Sequence, residues 1–175
     1  MSKITGSGVV LHTIFQKKPC VLLLLDYHKY WGEPGGRYQS KYSIERSAKN
    51  EVYEETSLTV DIRRKKLNKY LNIPGKRAKT IYRTFFSQIK PITLNKFYKN
   101  RKLLVKHKAD PKYLETSKIT YVEINKLGKS TVKDVFGKTI KLSPRFRYIM
   151  KNEGLKYLQC YYTGFYSRYG LIQFK

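Results

Sequence analysis

The sequence predicts a mixed α/β fold. Three observations carry this: two β-branched, aliphatic runs close enough to pair, a Gly/Pro-dense loop opening into an amphipathic helix, and later stretches that alternate basic with apolar residues. Gly8 to Phe15 and Cys20 to Asp26 are the first two strands, with Lys17, Lys18 and Pro19 between them as turn material. Trp31-Gly32-Glu33-Pro34-Gly35-Gly36-Arg37 is too rich in Gly and Pro for a regular element and is expected to be a shaped loop. A helix follows: Ser43 is its N-cap, Ile44, Ala48 and Val52 recur every four residues, and Ser57 ends it before a strand-like Leu58-Thr59-Val60. Lys66 to Ile73 and Lys79 to Ile89 are expected as strands joined by a Pro74-Gly75 turn, each with one wet face. Lys96 to Lys108 fits either strand or helix. Ile119 to Ile124 is a further strand, and Ser143-Pro144 opens a helix reaching about Lys151. The aromatic-rich tail from Tyr157 to Phe174 could be late strands, a homodimer contact or base-stacking platforms, with core or interface packing the favoured use.

A chain of 175 residues with 41% hydrophobic residues suits one packed core, so a single domain over 1–175 is expected. The longest aliphatic run, Val21 to Leu25, is far too short to cross a bilayer, and Met1 to Gly8 has no leader-like pattern. Cys20 and Cys160, the only cysteines, read as reduced thiols of a cytoplasmic protein with no membrane partner.

Lys and Arg number 37 against 12 acids, a net charge of +25, which is more than solubility needs and points to a polyanionic partner. The excess is concentrated. No acid occurs from Ile62 through Ala109, a stretch that includes Arg63, Arg64, Lys65, Lys76, Lys79 and Arg83. The bland alternative is a lysine-rich surface produced by biased composition. With Arg37 beside the glycines, Arg63, Arg64, Lys65, Lys79 and Arg83 are the expected phosphate-binding residues.

Against that background Glu51, Glu54 and Glu55 fall within five residues of one helix. At about 100° per residue, Glu51 and Glu55 flank the Ile44, Ala48, Val52 stripe and turn inward, with Glu54 at its edge. None has a Lys or Arg three or four residues away in the helix, and like charges at that spacing repel. A divalent cation is the natural compensation, since Mg²⁺ takes carboxylate oxygens and is commonly shared with substrate phosphates. Basic side chains from Arg63 to Lys66 folding back on the glutamates are the alternative.

These residues resemble the signature of the Nudix hydrolase family: Gly, five residues, Glu, seven residues, Arg-Glu, apolar, any residue, Glu-Glu, any residue, Gly, apolar. Gly36, Glu51, Val52, Glu54, Glu55 and Leu58 fall on it, and the Trp31-Gly32 and Pro34-Gly35-Gly36-Arg37 approach looks like the family's own. Tyr42, Asn50 and Ser57 depart from the expected Glu, Arg and Gly. The resemblance implies an α/β/α sandwich with a mixed sheet, Mg²⁺ or Mn²⁺ held by Glu51, Glu54 and Glu55 with the Gly36 carbonyl, and hydrolysis of a diphosphate linkage. It implies a general base on the helix or in a loop before a later strand, so Glu54 is the first candidate, Glu115 the second and Glu123 the third. Asn50 removes a charge that in relatives orients the glutamates. The basic block adds the expected substrate, the 5′ cap of an RNA, and the composition would suit a virus-encoded decapping enzyme. Diphosphoinositol polyphosphates, small nucleotides and a non-catalytic RNA-binding module are the alternatives.

Overall fold

The computed structural model describes residues 2–75 and 77–169, the side chains of 165–169 excepted. Lys76 and the tail beyond residue 169 lie outside the described residues.

The first strand, β1 (Lys3–Phe15), starts earlier than its apolar run and is buried from Gly6 through Thr13. Burial on both faces requires layers on both sides, and the side-chain alternation delivers two sets. Val10 joins Val21, Leu23 and Phe86 on one face, while Val9 and Leu11 join Leu22, Leu24 and Phe85 on the other. β2 (Lys18–Leu25) pairs antiparallel with β1, and β6 (Thr80–Gln88) pairs with it in parallel, so the sheet is mixed. β3 (Trp31–Gly32) and β7 (Ile119–Glu123) both pair with β2, and β5 (Tyr70–Pro74) forms the outer hairpin with β6. Helix α1 (Ile44–Glu55) contributes Ala48 and Val52, and α2 (Leu94–Lys106) contributes Phe97, to one face. α3 (Pro144–Ile149) and α4 (Leu155–Tyr169) cover the other with Phe146, Ile149, Leu158 and Tyr162. The architecture is an α/β/α sandwich around a mixed sheet.

Several sequence expectations need correction. The Gly/Pro loop contains β3 and a short β4 (Gly35–Arg37), because its glycines lie close enough to β1 to pair with Ser7 and Gly8. Leu58 to Val60 is not a strand: Ser57 and Leu58 both take left-handed φ, of 50° and 60°, and the chain turns away. The strand expected from Lys66 begins only at Tyr70. Residues 94–106 are helical, capped by Thr93, whose hydroxyl accepts the Lys96 N–H at 3.2 Å. A small hairpin, β8 (Thr131–Lys133) with β9 (Thr139–Lys141), was not anticipated. The helix after Pro144 breaks where Asn152 and Glu153 leave helical geometry, and restarts as α4. The described part of the aromatic tail is therefore helical, with Leu158 and Tyr162 in the core. Cys20 is buried and Cys160 exposed, and both are free thiols. Among the described residues no helix is long and apolar enough to cross a membrane.

The seam between β1 and α4 holds a titratable group. His12 is 1% exposed, and its Nδ1 lies 2.9 Å from the Tyr162 hydroxyl. Burial, helped by Lys65, lowers its pKa from 6.5 to about 4. A depressed folded value means the neutral ring's contribution is full above about pH 6.5 and is lost as pH falls through about 4. Between about pH 7 and 4 the protein should lose about 3 kcal/mol more stability than a His12→Gln variant, read from urea midpoints. Equal losses would show that His12 is not buried neutral.

Candidate active site

Three local devices bring α1 against the glycine strand. The Ser43 hydroxyl caps α1 by accepting the Arg46 N–H at 3.1 Å. Ala48 and Val52, both 0% exposed, seat the helix on the sheet. Gly36 then lies so close that a Cβ there would come within 2.5 Å of the Glu51 carboxylate. On the next turn the Glu55 Oε2 accepts the Gly35 N–H at 3.1 Å. Glycine is needed at position 36 for close approach, since any side chain would displace the acid. The Gly36 carbonyl is turned toward β1, 2.9 Å from where a Cβ of Gly6 would lie.

Glu51 and Glu55 are therefore both packed inward, as the helical spacing predicts. Burial first, then Glu54 and Glu115, pushes Glu51 up to about 7. Burial first, then Glu51, pushes Glu55 up to about 8. Among the described residues no Lys or Arg is ion-paired with either. Glu54 differs: its carboxylate is 3.2 Å from the Lys112 ammonium.

Lys112 and Glu115 arrive on the segment before β7, where Pro111–Leu114 forms one 3-10 turn capped by Asp110. The Ser57 hydroxyl donates to the Tyr113 carbonyl at 2.9 Å, tying this segment to the end of α1. Ser57 thus stands in left-handed backbone, where glycine is easiest, and supplies a bond that glycine lacks. The tie sets Lys112 on Glu54 and leaves Glu115 lining a cleft with Glu51 and Glu55.

That cleft has a volume of about 850 Å³, within the range of small-molecule sites. Glu51, Glu55, Glu115, Arg37 and Arg145 all line it, with Gly35 and Gly36 between them. Of the residues expected to bind phosphate, Arg37 alone is among them. Arg63, Arg64 and Lys65 line a separate depression with Asp61, where Arg63 pairs with Asp61 at 2.6 Å and lies over the Tyr53 ring. Arg83 bonds Asn72 and covers Tyr70 on the β5–β6 hairpin, and Lys79 lies at that hairpin's turn. Glu123 is ion-paired with Lys18 and Lys126, and Tyr42 does not reach the cleft.

Sequence reasoning missed Glu33, Arg145 and Tyr82. The Glu33 side chain is fully buried, and its Oε1 lies 2.7 Å from Arg145 Nε, an ion pair not aligned as a hydrogen bond. Burial pushes the Glu33 carboxyl up against the pull of Arg145. The guanidinium stacks over the Tyr82 ring at 4.3 Å, and the buried Tyr82 hydroxyl has no hydrogen-bond partner among the described residues. The available signal was an acid inside a Gly/Pro loop and a cation one residue past a helix-opening proline.

The donor set fits a hard divalent cation in part. Among the described residues no group of three His, Cys, Asp or Glu side chains is placed to hold an ion. Mg²⁺ sites of one or two carboxylates, completed by water and substrate phosphate, need only the Glu51 and Glu55 pair.

No family model matches the chain in sequence, and no curated protein does. Solved structures do match. A C. elegans Ap4A hydrolase in a binary complex superposes with a TM-score of 0.56 at 13% identity, covering 94% of this chain and 99% of that one. The NUDIX domain of Shewanella oneidensis NrtR complexed with ADP ribose gives 0.54 at 14% identity, over 90% and 88%. RenU, a Nudix hydrolase from M. smegmatis, gives 0.54 at 13%, over 94% and 89%. At these identities the likeness is one of architecture, and it agrees with the glycine strand and glutamate helix described above: this chain has the Nudix fold.

Proposed function

We propose that the chain is a divalent-metal-dependent pyrophosphohydrolase that cuts a diphosphate linkage in the cleft, with the 5′ cap of an RNA as its substrate. The observation that carries this reading is the Glu51–Glu55 pair, two inward carboxylates on successive turns that no Lys or Arg ion-pairs among the described residues, in a protein of net charge +25. Arg145 draws both carboxyls down from beyond ion-pair distance, yet burial keeps them raised, which makes sense when a further cation binds between them. Mg²⁺ or Mn²⁺ bound there would polarise a phosphoryl oxygen and acidify a water. Glu51 and Glu55 would hold it, and Glu54 would join on release from Lys112. Gly36 serves by having no side chain, which lets Glu51 sit against the strand.

Arg145 and Arg37 are the cleft's cations for the non-bridging oxygens of the diphosphate. Glu115 accepts the proton of the attacking water in this reading. It lines the cleft with the glutamate pair, whereas the Glu54 carboxylate is engaged by Lys112.

The Ap4A hydrolase and the ADP ribose complex support a nucleotide as the carrier of the diphosphate. An RNA carrier is supported by charge: Lys96, Lys99, Lys102 and Lys106 form an exposed stripe on α2 across from the buried Phe97. Like charges three and four residues apart destabilise a helix unless a polyanion neutralises them. α2 leads directly into the segment that carries Lys112 and Glu115. A second reading, an RNA-binding module without turnover, is favoured by Asn50 and the Glu54–Lys112 pair.

A panel of cap-labelled RNA, dinucleoside polyphosphates, nucleotide sugars and diphosphoinositols, assayed with Mn²⁺, separates these. Cap-labelled RNA should be the best substrate, and Glu115→Gln should slow it by about 10²- to 10⁴-fold while the protein stays folded. Glu54→Gln should slow it as well, through loss of the third carboxylate beside the ion. Steeply salt-dependent RNA binding with no product from any substrate would leave only the binding module.

A further inference from the structure

A second cavity, with a volume of about 400 Å³, lies where α3 gives way to α4 and shares no lining residue with the glutamate cleft. Helix geometry accounts for the separation. Arg145 and Arg147 are two residues apart on α3 and so point about 200° apart, which sends Arg145 into the cleft and Arg147 into the second cavity. The floor of that cavity is apolar: Leu127 and Met150 are buried, and Leu155 packs against the same core. Its charged lining is wholly basic, consisting of Lys129, Lys151 and Arg147. Lys129 stands on the loop into β8, which is held in place by the Leu142 N–H donating to the Ser130 carbonyl at 2.8 Å.

Among the described residues none of these three cations is ion-paired. The two lysines are exposed, and exposed lysines are common on a chain of net charge +25. Arg147 is different. It is half-buried, and its Nε is enclosed with no hydrogen-bond partner among the described residues. Attraction to the helix dipole explains an arginine in the last turn of α3, but it does not call for an enclosed donor, which is destabilising until an acceptor meets it. We infer that this cavity is an anion site separate from the cleft and that it takes a small phosphate monoester, with the phosphate on Arg147, Lys129 and Lys151 and the ester group on the Leu127, Met150 and Leu155 floor. Such a phosphate carries about −1.5 to −2 charge at pH 7 and three strong acceptor oxygens, which suits three converging cations. A cavity of this size fits a compact ligand better than a polymer. The site stands whether or not the cleft hydrolyses anything.

Calorimetric titration of the metal-free protein with phenyl phosphate and with inorganic phosphate tests it. Phenyl phosphate should bind several-fold more tightly, because inorganic phosphate leaves the apolar floor uncovered. Arg147→Met should weaken phenyl phosphate about tenfold or more, while the ligand-free variant should be at least as stable in urea, since methionine needs no acceptor. Lys129→Gln with Lys151→Gln changes only exposed side chains and should also weaken binding several-fold. Arg37→Gln, which alters the cleft alone, should leave it unchanged. No binding by the natural protein, binding untouched by Arg147→Met, or binding lost in Arg37→Gln overturns the site. A 5′-phosphorylated oligonucleotide that displaces phenyl phosphate and binds more tightly through Arg147 would overturn the small-ester assignment in favour of an RNA contact.

Discussion

Glu55→Gln should reduce turnover by on the order of a thousandfold and, above neutral pH, make the metal-free protein more stable. The two effects have one cause. The Glu55 carboxylate is held at about 8 chiefly by burial and then by Glu51, with the Gly35 N–H and Arg145 pulling the other way. Its folded value is raised above the unfolded one. The stability linked to its protonated form is therefore full below about pH 4.5 and is lost as pH rises through about 8. Glu51 adds a similar loss, complete near 7. Without metal the natural protein should lose a few kcal/mol from about pH 5 to 9, and the glutamine variant distinctly less. Urea unfolding in a chelator at both ends of that range measures it. A variant less stable than the natural protein at the alkaline end would mean that the carboxylate is satisfied by something other than an ion.

The second large effect concerns the buried pair beneath the cleft. Arg145→Ala should destabilise the protein by about 3–5 kcal/mol, because it strands Glu33 in a fully enclosed position. The loss should shrink at low pH, where Glu33 takes up a proton and becomes neutral. Replacing both partners, Glu33→Leu with Arg145→Met, should recover most of the stability, since two apolar groups need no compensation. It should not recover full diphosphate binding, since Arg37 is then left without Arg145 beside the non-bridging oxygens. Urea midpoints of the two variants decide the first part. A single variant within about 1 kcal/mol of the natural protein would show that the ion pair is incidental.

How much of this could be read beforehand follows from which interactions are local. The α1 cap and stripe, the β1–β2 hairpin and the Pro74-Gly75 turn are set by neighbours in sequence, and each was legible. β4 was not, because Gly35 and Gly36 become a strand only by meeting Gly8 and Ser7. α2 stayed ambiguous because Phe97 is its only fully buried side chain, too little apolar periodicity to choose a helix. The glutamate cluster stood out against a basic background. Glu33 and Arg145 did not, since they are 112 residues apart and neither neighbourhood signals the other. The basic block was legible as charge but not as a surface: acid-free in sequence, it folds onto several faces, with Arg63 paired to Asp61 and Arg83 bonded to Asn72.

Glu51 and Glu55, one turn apart on α1, are expected to share a divalent cation. Titration of the metal-free protein with Mn²⁺, followed by electron paramagnetic resonance, addresses it without any substrate. Saturable binding that weakens sharply in both Glu51→Gln and Glu55→Gln is the expected result. Binding that survives both substitutions, or no binding in the natural protein, would contradict it.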